Sequence, residues 1–293
     1  MKKLALIITC LFIQIGCFAQ YDYYSNFLMF YNSKDTINQL IVLNEWQNKS
    51  PKDAELFTSF FNYHYSKSRN KNFYLSNEKS IEDDSMGQAT GNYAYFFDFN
   101  QKDLKKAFEI IDKGIELYPN RLDMRFGKIY ALGEIKDWQR FTSEIIKTIR
   151  QSSVNNNHWT WTKHEKRNGG QKTFLLGIQN YQTQLYNTGN DDLLNNMKDI
   201  ANEVLTYYPT HIESLSNLSI TYVLKKQYDK AIEILLRAEK INPKDFIVLN
   251  NIAHTYTLME NKTEAFEYYE KVMKFGDVQS KEISKQKIAE LKL

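Results

Sequence analysis

The sequence predicts an all-α protein, a superhelix of antiparallel helix pairs, and three observations carry that expectation. The chain repeats itself at a 34-residue spacing, with Ile212–Asp245 aligning on Phe246–Gln279. Turn formers are scarce, with four prolines and eleven glycines in 293 residues, too few for an all-β chain. Apolar residues make up 42% of the composition and aromatics 14%, which is enough to fill a core and excludes a disordered chain.

Taken in order, the N-terminus reads as an export signal. Lys2 and Lys3 form a basic start, Leu4 to Phe18 is an almost unbroken apolar run, and Cys17-Phe18-Ala19 places small residues at −3 and −1 of a cleavage after Ala19. The mature chain would begin at Gln20 and be exported to the periplasm, the outer membrane or the exterior. The run is short for a membrane span, which needs ~20 residues. A lipid anchor at Cys17 is the lesser alternative, because Gln14 stands where a lipoprotein motif wants Leu. Cys10 and Cys17 are the only cysteines, so a chain cut after Ala19 holds no thiol and no disulfide. The net charge of +3 includes Lys2 and Lys3, and the near-neutral remainder gives nucleic-acid binding no support.

Helical patterns follow. Asp35–Asn48 and Lys52–Ser66 are split by Pro51. Leu104–Tyr118 carries Ala107, Ile111 and Ile115 and ends at Pro119. Arg121–Glu134 and Asp137–Gln151 form a pair with Phe126, Ile129, Phe141 and Ile145 on the apolar faces. Thr173–Asn187 and Asp191–Tyr207 form another, joined at Gly189, with Ile178, Tyr181 and Leu185 at core positions. Two stretches break the pattern. In 67–100, Tyr93, Tyr95, Phe97 and Phe99 alternate with period two, which predicts a strand. Ile81–Asp84, Gly87 and Gly91 would supply the partner of a small β-hairpin around residues 75–99. In 152–170, a polar loop carries Trp159 and Trp161, which are expected to be exposed aromatic contacts. The organisation is then a signal peptide at 1–19, degenerate repeats at 20–151 and a loop at 152–170. Repeats at 171–279 and a capping helix at 280–293 complete it.

The two aligned segments match at Leu215 and Leu249, Leu218 and Ile252, Tyr222 and Tyr256, Ala231 and Ala265, and Leu235 and Tyr269. Pro209 precedes the first segment as Pro243 precedes the second. This pattern resembles the tetratricopeptide repeat (TPR) family, with the second copy departing at Val272 and Asp277. The resemblance implies a helical solenoid whose first helices line a concave, partner-binding face. Carried over residue by residue, that face comprises Glu213, Ser216, Asn217, Ile220 and Val223, then Ile247, Asn250, Asn251, His254 and Thr257. No Lys or Arg stands at these inner positions, so the family's clamp for a terminal carboxylate is not expected. A mixed polar and apolar groove suits an extended peptide or a partner helix.

Catalytic motifs are missing. The chain holds no G-x-x-x-x-G-K-[ST] loop, no G-x-G-x-x-G turn and no G-x-S-x-G elbow. His164-Glu165 continues as Lys166-Arg167-Asn168, so it is not a zinc-binding H-E-x-x-H helix. His64, His158, His164, His211 and His254 are scattered, and Glu82-Asp83-Asp84 lacks the alternation of a calcium loop. Asp191 and Asp192 suit a helix start. Lys163, Lys166 and Arg167 make a small basic cluster beside the tryptophans. No cofactor or metal is expected. The reading is a non-catalytic, exported scaffold binding a protein or peptide at the cell envelope. The alternatives are a ligand- or glycan-binding accessory of an outer-membrane uptake system, and an enzyme built from Glu165, His158, His164 and Asp83.

Overall fold

The computed structural model describes residues 22–75 and 93–291. The expected signal segment, Cys17, the Ile81–Asp84 strand with Gly87 and Gly91, and Asp83 lie outside the described residues. Thirteen α-helices and one two-stranded sheet are described. The helices form six successive pairs closed by a last helix. They are α1 Tyr23–Asn32 with α2 Thr36–Lys49, α3 Ala54–Ser68 with α4 Gln101–Leu117, and α5 Leu122–Glu134 with α6 Trp138–Val154. Then come α7 Gly170–Asn187 with α8 Leu194–Tyr207, α9 Ile212–Leu224 with α10 Tyr228–Ile241, α11 Phe246–Leu258 with α12 Lys262–Phe275, and α13 Val278–Glu290. Helix α1 has no counterpart in the sequence expectations.

The helices start where short polar side chains can satisfy free backbone N–H groups. Asp22, Asp35, Asp53, Asn100, Asp137, Asp245 and Asp277 each cap a helix through their side-chain oxygens, worth about 1 kcal/mol apiece. The turn inside a pair recurs with one geometry. The residue before the next helix's N-cap is left-handed at Lys34, Lys136, Lys226, Glu260 and Gly189, with φ between 56° and 62°. In the first four of these turns the following N–H reaches back to the carbonyl of Phe30, Leu132, Tyr222 or Tyr256 at 2.8 to 3.0 Å. This is the Schellman closure of a helix end. The turns between pairs use proline instead. Pro51, Pro119, Pro209 and Pro243 follow α2, α4, α8 and α10, and all four prolines of the chain stand there.

Packing follows the repeat. Ala107, Ala201, Ala231 and Ala265 are fully buried, which lets paired helices approach closely. A large core gathers Phe108, Ile129, Phe141, Phe174 and Ile200 from α4 to α8, while Leu215, Leu235, Val248 and Ile252 form the core of α9 to α11. Neighbour-to-neighbour burial is what a solenoid needs, because no single pair can cover its own apolar face.

The hairpin sits inside the second pair. Strand β1 Arg69–Leu75 pairs antiparallel with β2 Tyr93–Phe99, in the register Arg69 to Phe99 and Leu75 to Tyr93. The expected strand Tyr93–Phe99 is present, and its partner among the described residues is β1. Helix α3 runs straight into β1, and Asn100 N–H closes on the Ser68 carbonyl at 2.8 Å. Phe97 and Phe99 pack on the helical core, so the sheet is anchored at its base.

Candidate partner-binding groove

The inner positions of the C-terminal repeats lie on α9 and α11. On α11, Ile247 is 57% exposed and His254 is exposed, while Asn250, Asn251 and Thr257 are half-buried. Neither Asn250 nor Asn251 makes a side-chain hydrogen bond among the described residues. On α9, Glu213 is exposed and Ile220 and Val223 are half-buried, whereas Ser216 and Asn217 are nearly buried. Asn217 does not offer a free amide. Its Nδ2 donates to Gln179 Oε1 on α7 at 2.6 Å, and Gln179 Nε2 donates back to Asn217 Oδ1 at 3.4 Å. The Thr257 hydroxyl donates to the Ala253 carbonyl at 2.9 Å.

Sequence reasoning stopped at α9 and α11, yet the face continues onto α7. Leu176 stands two residues before Ile178, as Glu213 stands two before Leu215 and Ile247 two before Leu249. Leu176 and Tyr186 are exposed, at 61% and 51%. The core spacing Ile178, Tyr181, Leu185 was the signal that could have found them.

Two histidines flank the groove in neutral form. Burial pushes the His211 pKa down, with Glu213, 3.1 Å away, opposing the shift. His254 stays exposed on the face. Crowding by neighbouring helices lowers its pKa, and the charge of Lys287 on α13 adds to that.

The 152–170 stretch departs from expectation most clearly at Trp159. This residue is not an exposed contact: it is 2% exposed and stacks on Phe174 at 5.5 Å. Trp161 is half-buried, with the Arg167 guanidinium 4.7 Å from its ring centre. The loop is drawn in by backbone pairing. Thr160 bridges Arg121 and Lys166, and Leu122 N–H donates to the Thr160 carbonyl at 3.0 Å. Beneath it lies fully buried Arg121, which forks to Glu55 at 2.7 and 3.0 Å and to Asp123 at 2.8 and 2.7 Å. The Lys163 N–H also donates to Glu55 Oε1 at 2.7 Å. Burial works against the charge on Arg121, but the hydrogen bonds it donates to Asp123 and Glu55 more than offset it, so its pKa is raised. His158 bonds the Asn155 carbonyl, while His164 packs on Tyr118. Among the described residues no cluster of three His, Cys, Asp or Glu could hold a metal.

The fold is a paired-helix solenoid in which α9 and α11 carry a partly polar, partly exposed row. Residues 212–245 and 248–275 each match a tetratricopeptide repeat family model, so this part of the chain carries two TPR motifs. No curated protein matches it. Among solved structures it is similar to YrrB, a TPR protein with an unusual peptide-binding site, at 13% identity over 83% of this chain and 97% of that one, TM-score 0.43. It is also similar to PilW, a type IV pilus biogenesis factor, at 10% identity over 89% and 96%, TM-score 0.40. A TPR protein from Parabacteroides merdae is 11% identical over 92% and 87%, TM-score 0.39. The repeats support a protein–protein interaction scaffold. No helix among the described residues is long and apolar enough to cross a membrane.

Proposed function

We propose that the chain is an exported scaffold and that the inner face of α7, α9 and α11 holds an extended segment of a partner protein at the cell envelope. The observation that carries this reading is the α11 face. There an exposed Ile247 stands beside the half-exposed amides of Asn250 and Asn251, which no side chain among the described residues engages. An extended peptide needs apolar anchorage for its side chains and donors and acceptors for its backbone, and this row offers both. Burial of Trp159 takes away the aromatic on which a glycan-binding alternative leaned.

The test is in-cell crosslinking of the tagged chain, with Glu213, Asn250 and His254 replaced by alanine in a parallel sample. These side chains are exposed or half-exposed, so the fold should survive. One envelope protein captured by the parent and lost by the triple variant is the expected result. Capture that survives the change would move the interface off this face. Cell fractionation with N-terminal sequencing addresses export: a mature start at Gln20 is expected, and an uncleaved cytoplasmic chain would end the envelope reading.

A further inference from the structure

Helix α2 carries an apolar stripe at positions where the corresponding helices of other pairs are polar. Four of the turns within pairs share one geometry, with a left-handed residue at Lys34, Lys136, Lys226 and Glu260. Helices α2, α6, α10 and α12 can therefore be compared position by position. Three residues after the left-handed one stand Ile37, Gln139, Asp229 and Thr263, and seven after it stand Ile41, Ser143, Glu233 and Glu267. All eight are exposed. Of the four helices, α2 alone fills these solvent-facing positions with isoleucine, at 73% and 49% exposure. Leu40, between them, is 36% exposed where its counterparts Thr142 and Ile232 are buried.

Helix α2 is thus apolar on two sides. Val42, Leu43 and Trp46 belong to the core of the first pair, while Ile37, Leu40 and Ile41 remain outside it. A helix apolar on more than one side is normally covered on each, and the end repeats of a solenoid normally turn a polar surface outward.

The stripe is also complementary to itself. Ile37, Ile41 and Glu45 follow at steps of four and share one line along the helix, and Lys34 stands in the turn at its N-terminal end. Lys34 and Glu45 are exposed and have no ion-pair partner among the described residues. If two α2 helices lie antiparallel, with Ile37 on Ile41 of the copy, Lys34 of each chain comes beside Glu45 of the other. A parallel pairing would set lysine on lysine and glutamate on glutamate. Opposite charges at the two ends of an apolar centre suit a two-fold contact between identical surfaces. The same line carries no net charge, so it holds no attraction for an anionic bilayer.

We propose that the chain pairs with a second copy of itself through α2, antiparallel about a two-fold axis. The contact uses no residue of the α7, α9 and α11 face, so its failure and the failure of the groove reading are separate results.

Sedimentation equilibrium of the tagged chain, purified as the cell processes it, should report a monomer–dimer equilibrium. Ile37→Asp/Ile41→Glu installs the residues that α10 carries at Asp229 and Glu233. This variant should be monomeric at every concentration and keep the melting temperature of the parent in dilute, monomeric samples. Lys34→Glu places in this turn the residue that Glu260 provides in the turn before α12. It should weaken dimerisation about 10-fold, as should Glu45→Lys, and the double exchange Lys34→Glu/Glu45→Lys should restore the parent affinity. The proposal is overturned by a parent chain that stays monomeric to the limit of its solubility, by a dimer that survives Ile37→Asp/Ile41→Glu, or by a double exchange that pairs no better than either single change. A monomer that binds phosphatidylcholine vesicles, and loses them in Ile37→Asp/Ile41→Glu, would also overturn it and assign the stripe to a lipid surface.

Discussion

Arg121 is the residue on which the N-terminal half is centred. Its guanidinium is fully buried between two carboxylates, and one of them, Glu55, also receives the Lys163 N–H from the loop. A buried charge is tolerable only while its partners stay in place. Replacing Glu55 by alanine leaves Asp123 as the sole counter-charge and removes an acceptor from the loop. The expected loss is about 3 kcal/mol in urea unfolding, with the loop becoming sensitive to protease. A loss under about 1 kcal/mol would show that Asp123 alone holds the charge. Nothing near Arg121 in sequence points to this role, because Glu55 is 66 residues away. Asn217 teaches the same lesson in the groove: its position was legible, but its engagement with Gln179 was not.

At the scale of the element, the helix pairs are defined by two alternating turns. Proline marks four of the five turns between pairs, and a left-handed residue marks five of the six connections within them, β1 and β2 standing between α3 and α4 instead. Prolines are readable in a sequence, and they located four helix ends. The left-handed positions were hidden, because three of them are lysines and one a glutamate rather than glycine. A non-glycine residue there bears strain of roughly 1–2 kcal/mol, part of which glycine trades for backbone entropy. Lys226, exposed at φ 57° between α9 and α10, is the cleanest place to observe this. Lys226→Gly should stabilise the chain by about 0.5 kcal/mol in denaturant unfolding; destabilisation would mean that the lysine side chain contributes more than its backbone costs. The hairpin shows the reverse case. Period-two aromatics disclosed β2, but β1 is polar at Arg69, Asn70, Lys71 and Asn72 and continues from a helix, so no local pattern separated them.

Across the whole molecule, His64, His211 and His254 share a direction. Burial lowers each pKa, against the pull of Asp103 on His64 and of Glu213 on His211, and with the help of Lys287 at His254. A histidine whose folded pKa is depressed binds fewer protons folded than unfolded, so stability rises with pH across that interval. The contribution is complete above the unfolded value of about 6.5 and is lost as the pH falls toward the folded values. Melting temperatures should therefore drop between about pH 7.5 and pH 5.5, and a flat or rising profile would contradict the neutral assignment of these rings. The same acidification would bring positive charge to His254 on the inner face, where Lys287 already stands nearby.

By itself, the sequence determined the helices other than α1, their pairing from α5 onward and the C-terminal repeats. These features rest on apolar spacing of three and four residues, on small residues at close crossings and on turn formers, all of which act within one repeat length. Only the tertiary structure decided that Trp159 is core, that Arg121 ties the loop to α3, that β2 pairs with the polar strand β1, and that Asn217 is engaged while Asn250 and Asn251 have no partner among the described residues. Those outcomes depend on which surfaces remain uncovered once the pairs have stacked. A polar loop beside an open helix end is drawn inward wherever it can bury a ring and satisfy a buried charge, and no local spacing encodes that choice.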